Sequence, residues 1–153
     1  MKHKALLESL DRAAVVSAIE RAERASSGEI RVHVDPSSHG KDPLFLAERT
    51  FERLRMTRTE LRNGVLIYLV SKEQQFAVVG DRGIHEKVGP EFWEVVASHM
   101  VEHFRKGEFT EGVVQAVEEV GEQLRHHFPH AGEKDANELS NEISVGDGEP
   151  PRP

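Results

Sequence analysis

The chain of 153 residues contains no cysteine. Disulfides, thiolate nucleophiles, Cys-ligated zinc and iron–sulfur clusters are therefore excluded, and a reducing compartment is compatible with the chain. No apolar run is long enough to cross a bilayer. Met1-Lys2-His3-Lys4 is basic, but the apolar region that a secretory signal needs does not follow it. An excess of positive charge is missing too: Lys+Arg is 20 against 27 for Asp+Glu, a net charge of −7. Phosphate-backbone binding is driven by a basic face, so nucleic acid is not an expected partner. There are no internal repeats and no G-x-S-x-G elbow. Gly80 and Gly83 lack the spacing of a dinucleotide fingerprint or a Walker loop. The expectation is a soluble, acidic, cytoplasmic chain with one folded domain and no direct membrane insertion.

What is present reads as alternating helices and strands. Leu6, Leu7, Leu10, Ala14, Ala18, Ile19 and Ala22 recur at helical spacing and predict an amphipathic helix over about residues 5–26. Glu29-Ile30-Arg31-Val32-His33-Val34 alternates with period two, as a strand does. Asp42-Pro43 is a good helix start, an N-cap followed by proline in the first turn. Gly64 to Val70 is continuously apolar and predicts a central strand buried on both faces. After the polar turn Ser71-Lys72-Glu73-Gln74, residues 75–80 return as the second arm of a hairpin. A short helix at 84–88, a helix carrying Phe92, Trp93, Val96, Met100 and Phe104, and a last helix over 110–128 complete the pattern. The order α-β-α-β-β-α-α implies an α/β fold: a mixed sheet with helices on both faces, its first two strands parallel. Residues 1–129 form the domain. Residues 130–153, rich in Gly, Pro, Asp, Glu and Asn, read as a disordered tail.

This topology brings two groups of polar residues to opposite sheet edges. At the first edge meet Ser27, Gly28 and Glu29, then Arg62 and Asn63, then Gly80, Asp81, Arg82 and Gly83. Two carboxylates with an amide oxygen suit a hard cation such as Ca²⁺ or Mg²⁺. The plainer alternative is that Asp81 caps the next helix, Asn63 makes a turn and Glu29 pairs with Arg62. The opposite edge carries Asp35, Ser37, Ser38, His39, Ser71, Lys72 and Glu73. It lies at the carboxyl ends of the parallel strands, where open α/β sheets bind ligands.

Three segments resemble the TPM domain, also called the TPM phosphatase domain. They are Ala22-Glu23-Arg24-Ala25-Ser26-Ser27-Gly28-Glu29-Ile30-Arg31-Val32, Arg62-Asn63-Gly64-Val65-Leu66-Ile67-Tyr68-Leu69, and Phe76-Ala77-Val78-Val79-Gly80-Asp81-Arg82-Gly83 with Ile84 to Gly89 after it. Their order and spacing match over roughly residues 8–125. The resemblance implies a Rossmann-like three-layer α/β sandwich and a divalent cation, often calcium. For the plant thylakoid branch it implies an acid phosphatase with a role in photosystem II repair. It places Glu29, Asn63 and Asp81 at the acidic and amide positions, which favours the first edge. Arg62, Arg82 and Ser27 become candidate anion-binding or supporting residues. Many relatives carry a signal peptide and a C-terminal membrane helix, so this chain resembles the soluble stand-alone branch.

Two functions follow as expectations. One is a Ca²⁺- or Mg²⁺-binding interaction or regulatory module whose acidic surface meets a basic protein partner. The other is a metal-dependent acid phosphatase acting on a small phosphate ester, with Arg62 steadying the anion; no nucleophile or general base is apparent for it. His99-Met100-Val101-Glu102-His103 matches the inverted zinc-peptidase pattern, but the distant acidic ligand of those enzymes has no counterpart in the folded region. His126-His127-Phe128-Pro129-His130 reads as a polar helix end.

Overall fold

Gly64–Val70 forms strand β2 and is buried at every position. The reason is visible on both sides of it. Val65, Ile67 and Leu69 belong to one apolar cluster, Leu66, Tyr68 and Val70 to another. A strand covered on both faces has no solvent side to mark with polar residues, hence the unbroken run. In the computed structural model, which describes residues 9–129 and 143–146, β2 lies between two long neighbours. Strand β1 (Glu29–Asp35) runs parallel to it, from Glu29 opposite Gly64 to Asp35 opposite Val70. Strand β3 (Gln75–Gly80) returns antiparallel, with Val65 opposite Gly80. A short β4 (Ser144–Val145) runs parallel to the outer edge of β1, giving the order β3-β2-β1-β4.

Five described helices form the outer layers. Helix α1 (Arg12–Arg24) is capped by Asp11, whose carboxylate accepts from the Ala14 N–H at 3.1 Å. Of the predicted helix over 5–26, Arg12–Arg24 is one helix that starts after Asp11, where the Asp side chain replaces a missing backbone partner; residues 1–8 lie outside the described residues. Helix α2 (Pro43–Arg53) starts at Asp42 and Pro43 as the sequence predicts. A single 3₁₀ turn at Met56–Arg58 leads on to β2. Helices α3 (Arg82–Val88), α4 (Pro90–Arg105) and α5 (Phe109–His127) follow β3.

The larger core joins α1, α3, α4 and α5 to one sheet face through Val15, Ile19, Ile84, Val96, Met100, Val113, Val120 and Leu124. Each such side chain contributes roughly 2 kcal/mol of burial. Leu46, Ala47 and Phe51 of α2, with Met56, cover the other face. Ile30, Val32 and Val34 of β1 point into the larger core. By alternation, Arg31, His33 and Asp35 lie on the α2 face. The α/β sandwich with a mixed sheet is therefore as the sequence predicts. The tail needs correction at one place. Within residues 130–153, read as disordered, Ser144–Val145 pair with β1 and Ile143 packs against the core. Residues 130–142 and 147–153 lie outside the described residues.

Candidate functional site

The first edge assembles as the topology requires. The Glu29 N–H points to the Asn63 carbonyl at 3.5 Å, and the Asp81 N–H donates to the Gly64 carbonyl at 2.9 Å. Asn63 is 1% exposed; its Nδ2 donates to the Ser27 Oγ at 3.3 Å, and its N–H to the Thr59 Oγ1 at 3.2 Å. Behind them the turn is closed from the far end of the domain, where the Ser27 N–H donates to the Phe128 carbonyl at 2.8 Å. So Ser27, Glu29, Asn63 and Asp81 share one edge, and Arg62 and Arg82 flank it.

The pairing within that edge differs from the simple reading. Arg62 does not go to Glu29. Its Nε and Nη2 donate to the two oxygens of Asp81 at 2.6 and 2.8 Å. The Asp81 carboxylate also accepts from the Arg82 N–H at 2.8 Å, which caps α3. The Asp81 side chain is 5% exposed, so this fork neutralises a buried charge. Asp81 raises the Arg62 pKa in turn. Gly83 is required beside them, since a Cβ there would sit 2.2 Å from the Leu61 carbonyl oxygen and 2.6 Å from that of Arg62.

The partner of Glu29 is a residue that sequence reasoning missed. Glu23, in the last turns of α1, accepts from the Ile30 N–H at 2.9 Å and hydrogen-bonds the Glu29 carboxyl. Burial, and then the Glu29 charge, push the Glu23 carboxyl from 4.5 up to about 9. Two carboxyls in contact repel when both are ionised, which favours a proton between them. The signal was a Glu at the helix end followed by a strand that opens with Glu; only the bend at Ser26–Gly28 turns one toward the other.

The opposite edge holds a second buried network. His33 is 3% exposed and stacks on Tyr68 with ring centroids 5.9 Å apart. Its Nε2 lies 2.9 Å from Asp35 Oδ1 and its Nδ1 2.8 Å from Ser144 Oγ. The Tyr68 hydroxyl donates to Asp35 Oδ2 at 2.6 Å. Burial alone would raise Asp35, but hydrogen bonds from His33 and Tyr68 and the Arg53 charge outweigh it and hold the carboxyl below its ordinary 3.8. Burial and the Asp35 charge raise Tyr68. Ser144, His33 and Asp35 have the composition of a hydrolase triad. The His33 ring is buried and stacked on Tyr68, so the three groups sit inside the sheet rather than in an open cleft. Ser37 and Ser38 bind Glu73 instead, the Ser38 hydroxyl donating at 2.9 Å, and they take no part in this network.

The histidines of the zinc-like motif tie α4 to α5. His99 Nδ1 lies 2.6 Å from Glu119, while His103 sits between Glu108 at 2.9 Å and Gln115 at 2.6 Å. Among the described residues, no group of three or more His, Asp or Glu side chains is arranged to hold a metal ion. No helix among them is long and apolar enough to cross a membrane.

The family model described as the TPM domain matches residues 1–123. The solved structure of BA42 from the psychrophilic bacterium Bizionia argentinensis is similar with a TM-score of 0.81 at 38% identity, covering 90% of this chain and 96% of that one. An N-terminal domain from P. gingivalis matches with a TM-score of 0.62 at 25% identity, over 79% of this chain and 82% of that one. The N-terminal domain of the cg2496 protein from Corynebacterium glutamicum shares the fold, with a TM-score of 0.59 at 14% identity over 73% of this chain and 70% of that one. No curated protein matches.

Proposed function

We propose that this chain, which belongs to the TPM domain family, is a divalent-cation-binding interaction or regulatory module with its cation site at the Glu29 edge. The observation that carries the reading is the Glu23–Glu29 pair, two carboxyls joined by a hydrogen bond, where burial of Glu23 and the Glu29 charge favour a proton. A hard cation there would take the place of that proton and let both oxygens bind as carboxylates. Asn63 and Ser27, at the same edge, would supply neutral oxygens. Asp81 is a weaker candidate than spacing suggests, because Arg62 already neutralises it. The same ion pair weighs against a phosphomonoesterase, since the guanidinium that would steady a phosphoryl group is engaged.

The reading requires that cation and proton compete. Chelator-treated full-length protein titrated with Ca²⁺ or Mg²⁺ at pH 6 and pH 8, followed by amide shifts, is the test. Glu29, Ile30 and Asn63 should shift saturably, with binding roughly tenfold or more tighter at pH 8. Glu23→Gln should remove that pH dependence and weaken binding. Absence of a shift with either ion, or an affinity independent of pH, overturns the reading.

A further inference from the structure

We propose that the outer edge of β1 is a docking groove for an extended segment of the pattern apolar–Ser–x–Gly, which this chain fills with its own residues 143–146. The receptor is built by the body of the domain. Asp35 orients His33 from the same strand, and Tyr68 of β2 holds the second Asp35 oxygen and stacks on the His33 ring. What the docked segment adds is small. Ile143 packs against the larger core, and the Ser144 Oγ lies 2.8 Å from His33 Nδ1. Val145 is 45% exposed and reads as the variable position. The Gly146 N–H donates to the Val34 carbonyl at 2.7 Å.

Gly146 sets the tightest condition. A Cβ there would lie 1.6 Å from Asp35 Oδ1 and 2.9 Å from its Cγ. Asp35 cannot swing away without leaving His33 and Tyr68, so a side chain at this place is refused. The upstream half of the same edge is closed differently, because the Ile30 N–H is taken by the Glu23 carboxylate. The groove is therefore short, at His33 to Asp35, and its register is set by one hydroxyl and one missing side chain. Main-chain pairing supplies the attraction and these two contacts the selectivity, as in strand addition to a sheet edge. Two ladder residues bind weakly on their own. The segment stays because it is tethered, at an effective concentration on the order of millimolar. A partner segment with Ser and Gly in the same places and better flanking contacts can take its place. The occupant we assign is such a protein segment, added parallel to β1.

The test uses the full-length chain. Gly146→Val excludes the chain's own segment and leaves the domain sequence intact. A synthetic peptide of residues 141–149 is then added, and the His33 ring and the Val34 and Asp35 amides are followed by NMR. The resonances of Gly146→Val should differ from those of the unaltered chain at these three residues and return toward it as peptide saturates. The unaltered chain should need roughly tenfold more peptide for the same effect, because its tethered segment competes. A peptide carrying Gly146→Val should not bind, and one carrying Ser144→Ala should bind at least several-fold more weakly. Unchanged resonances in Gly146→Val, no response to the unaltered peptide, or equal binding of all three peptides would overturn the proposal. Ser144→Ala in the full-length chain gives an independent check: it should shift the His33 ring while leaving the α4–α5 amides in place.

Discussion

Arg62 reaches Asp81 from a left-handed backbone, with φ at 54° and both nitrogens within 2.8 Å of the carboxylate. Such a φ is uncommon for a residue with a side chain. The turn tolerates it because the Arg62 carbonyl accepts from the Gly83 N–H at 2.8 Å and its N–H donates to Thr59 at 3.2 Å. The ion pair thus fastens the turn before β2 to the start of α3.

Asp81→Ala should destabilise the metal-free protein. It removes the α3 cap, a loss of about 1 kcal/mol, and strands the guanidinium of Arg62. Thermal unfolding in the presence of chelator is the measurement. A melting temperature that rises instead would mean that Asp81 is held against repulsion in the absence of a cation.

Glu23→Gln should flatten the dependence of stability on pH. The folded value of Glu23 is raised from 4.5 to about 9, so the folded state holds a proton that the unfolded chain has lost between those values. Its stabilising contribution is complete below about pH 4.5 and disappears as pH rises toward 9. A glutamine keeps the acceptor for Ile30 and a donor for Glu29 without titrating. Denaturant midpoints at pH 5 and pH 8 should converge in the variant, chiefly because it gains at pH 8.

The fold was legible wherever the cause was local or periodic. Alternation in Glu29–Val34, the unbroken run Gly64–Val70 and the Asp42–Pro43 start each carry their own pattern, and the short turn between β2 and β3 dictates the hairpin. From those pieces the convergence of Ser27, Glu29, Asn63 and Asp81 at one edge follows. What did not follow was who pairs with whom. Arg62 chooses Asp81 over Glu29 through a backbone angle that no residue type announces. Glu23 finds Glu29 through a bend, and burial then shifts it. Strand β4 has two residues, too few for any period, and is held by His33, which lies 111 positions away from Ser144.

Tyr68→Phe should raise the pH of acid unfolding. Asp35 titrates below 3.8 in the folded state, so its contribution is present above that value and lost as pH falls through the folded one. Removing the hydroxyl leaves Asp35 Oδ2 short of a donor, at a cost of about 2 kcal/mol for a bond to a charged acceptor. Acid titration by near-ultraviolet circular dichroism should show the midpoint moving upward. An unchanged midpoint would place the depression of Asp35 on His33 and Arg53.

His103→Ala should lower stability more at pH 5.5 than at pH 8. Hydrogen bonds to Gln115, then to Glu108, raise His103 above 6.5, so its contribution is complete below that value and fades as pH rises through the folded one. A ring titration by NMR gives the folded value directly, and paired melts of both proteins at the two pH values supply the difference. Equal losses at both would assign His103 a packing role only.

The turn at Ser26–Ser27 has a consequence for how the chain is made. Ser27 is bonded to Phe128 and Ser26 bridges to Pro129, while the Asp11 N–H donates to Thr110 Oγ1. Helix α1 packs along α5, the last of the described helices in chain order. A growing chain therefore carries α1 and the apolar side of β1 uncovered until about residue 129 has left the ribosome. The step that brings α1 and β1 against α5 joins the two ends of the domain at long range, which is slow by loop-closure entropy.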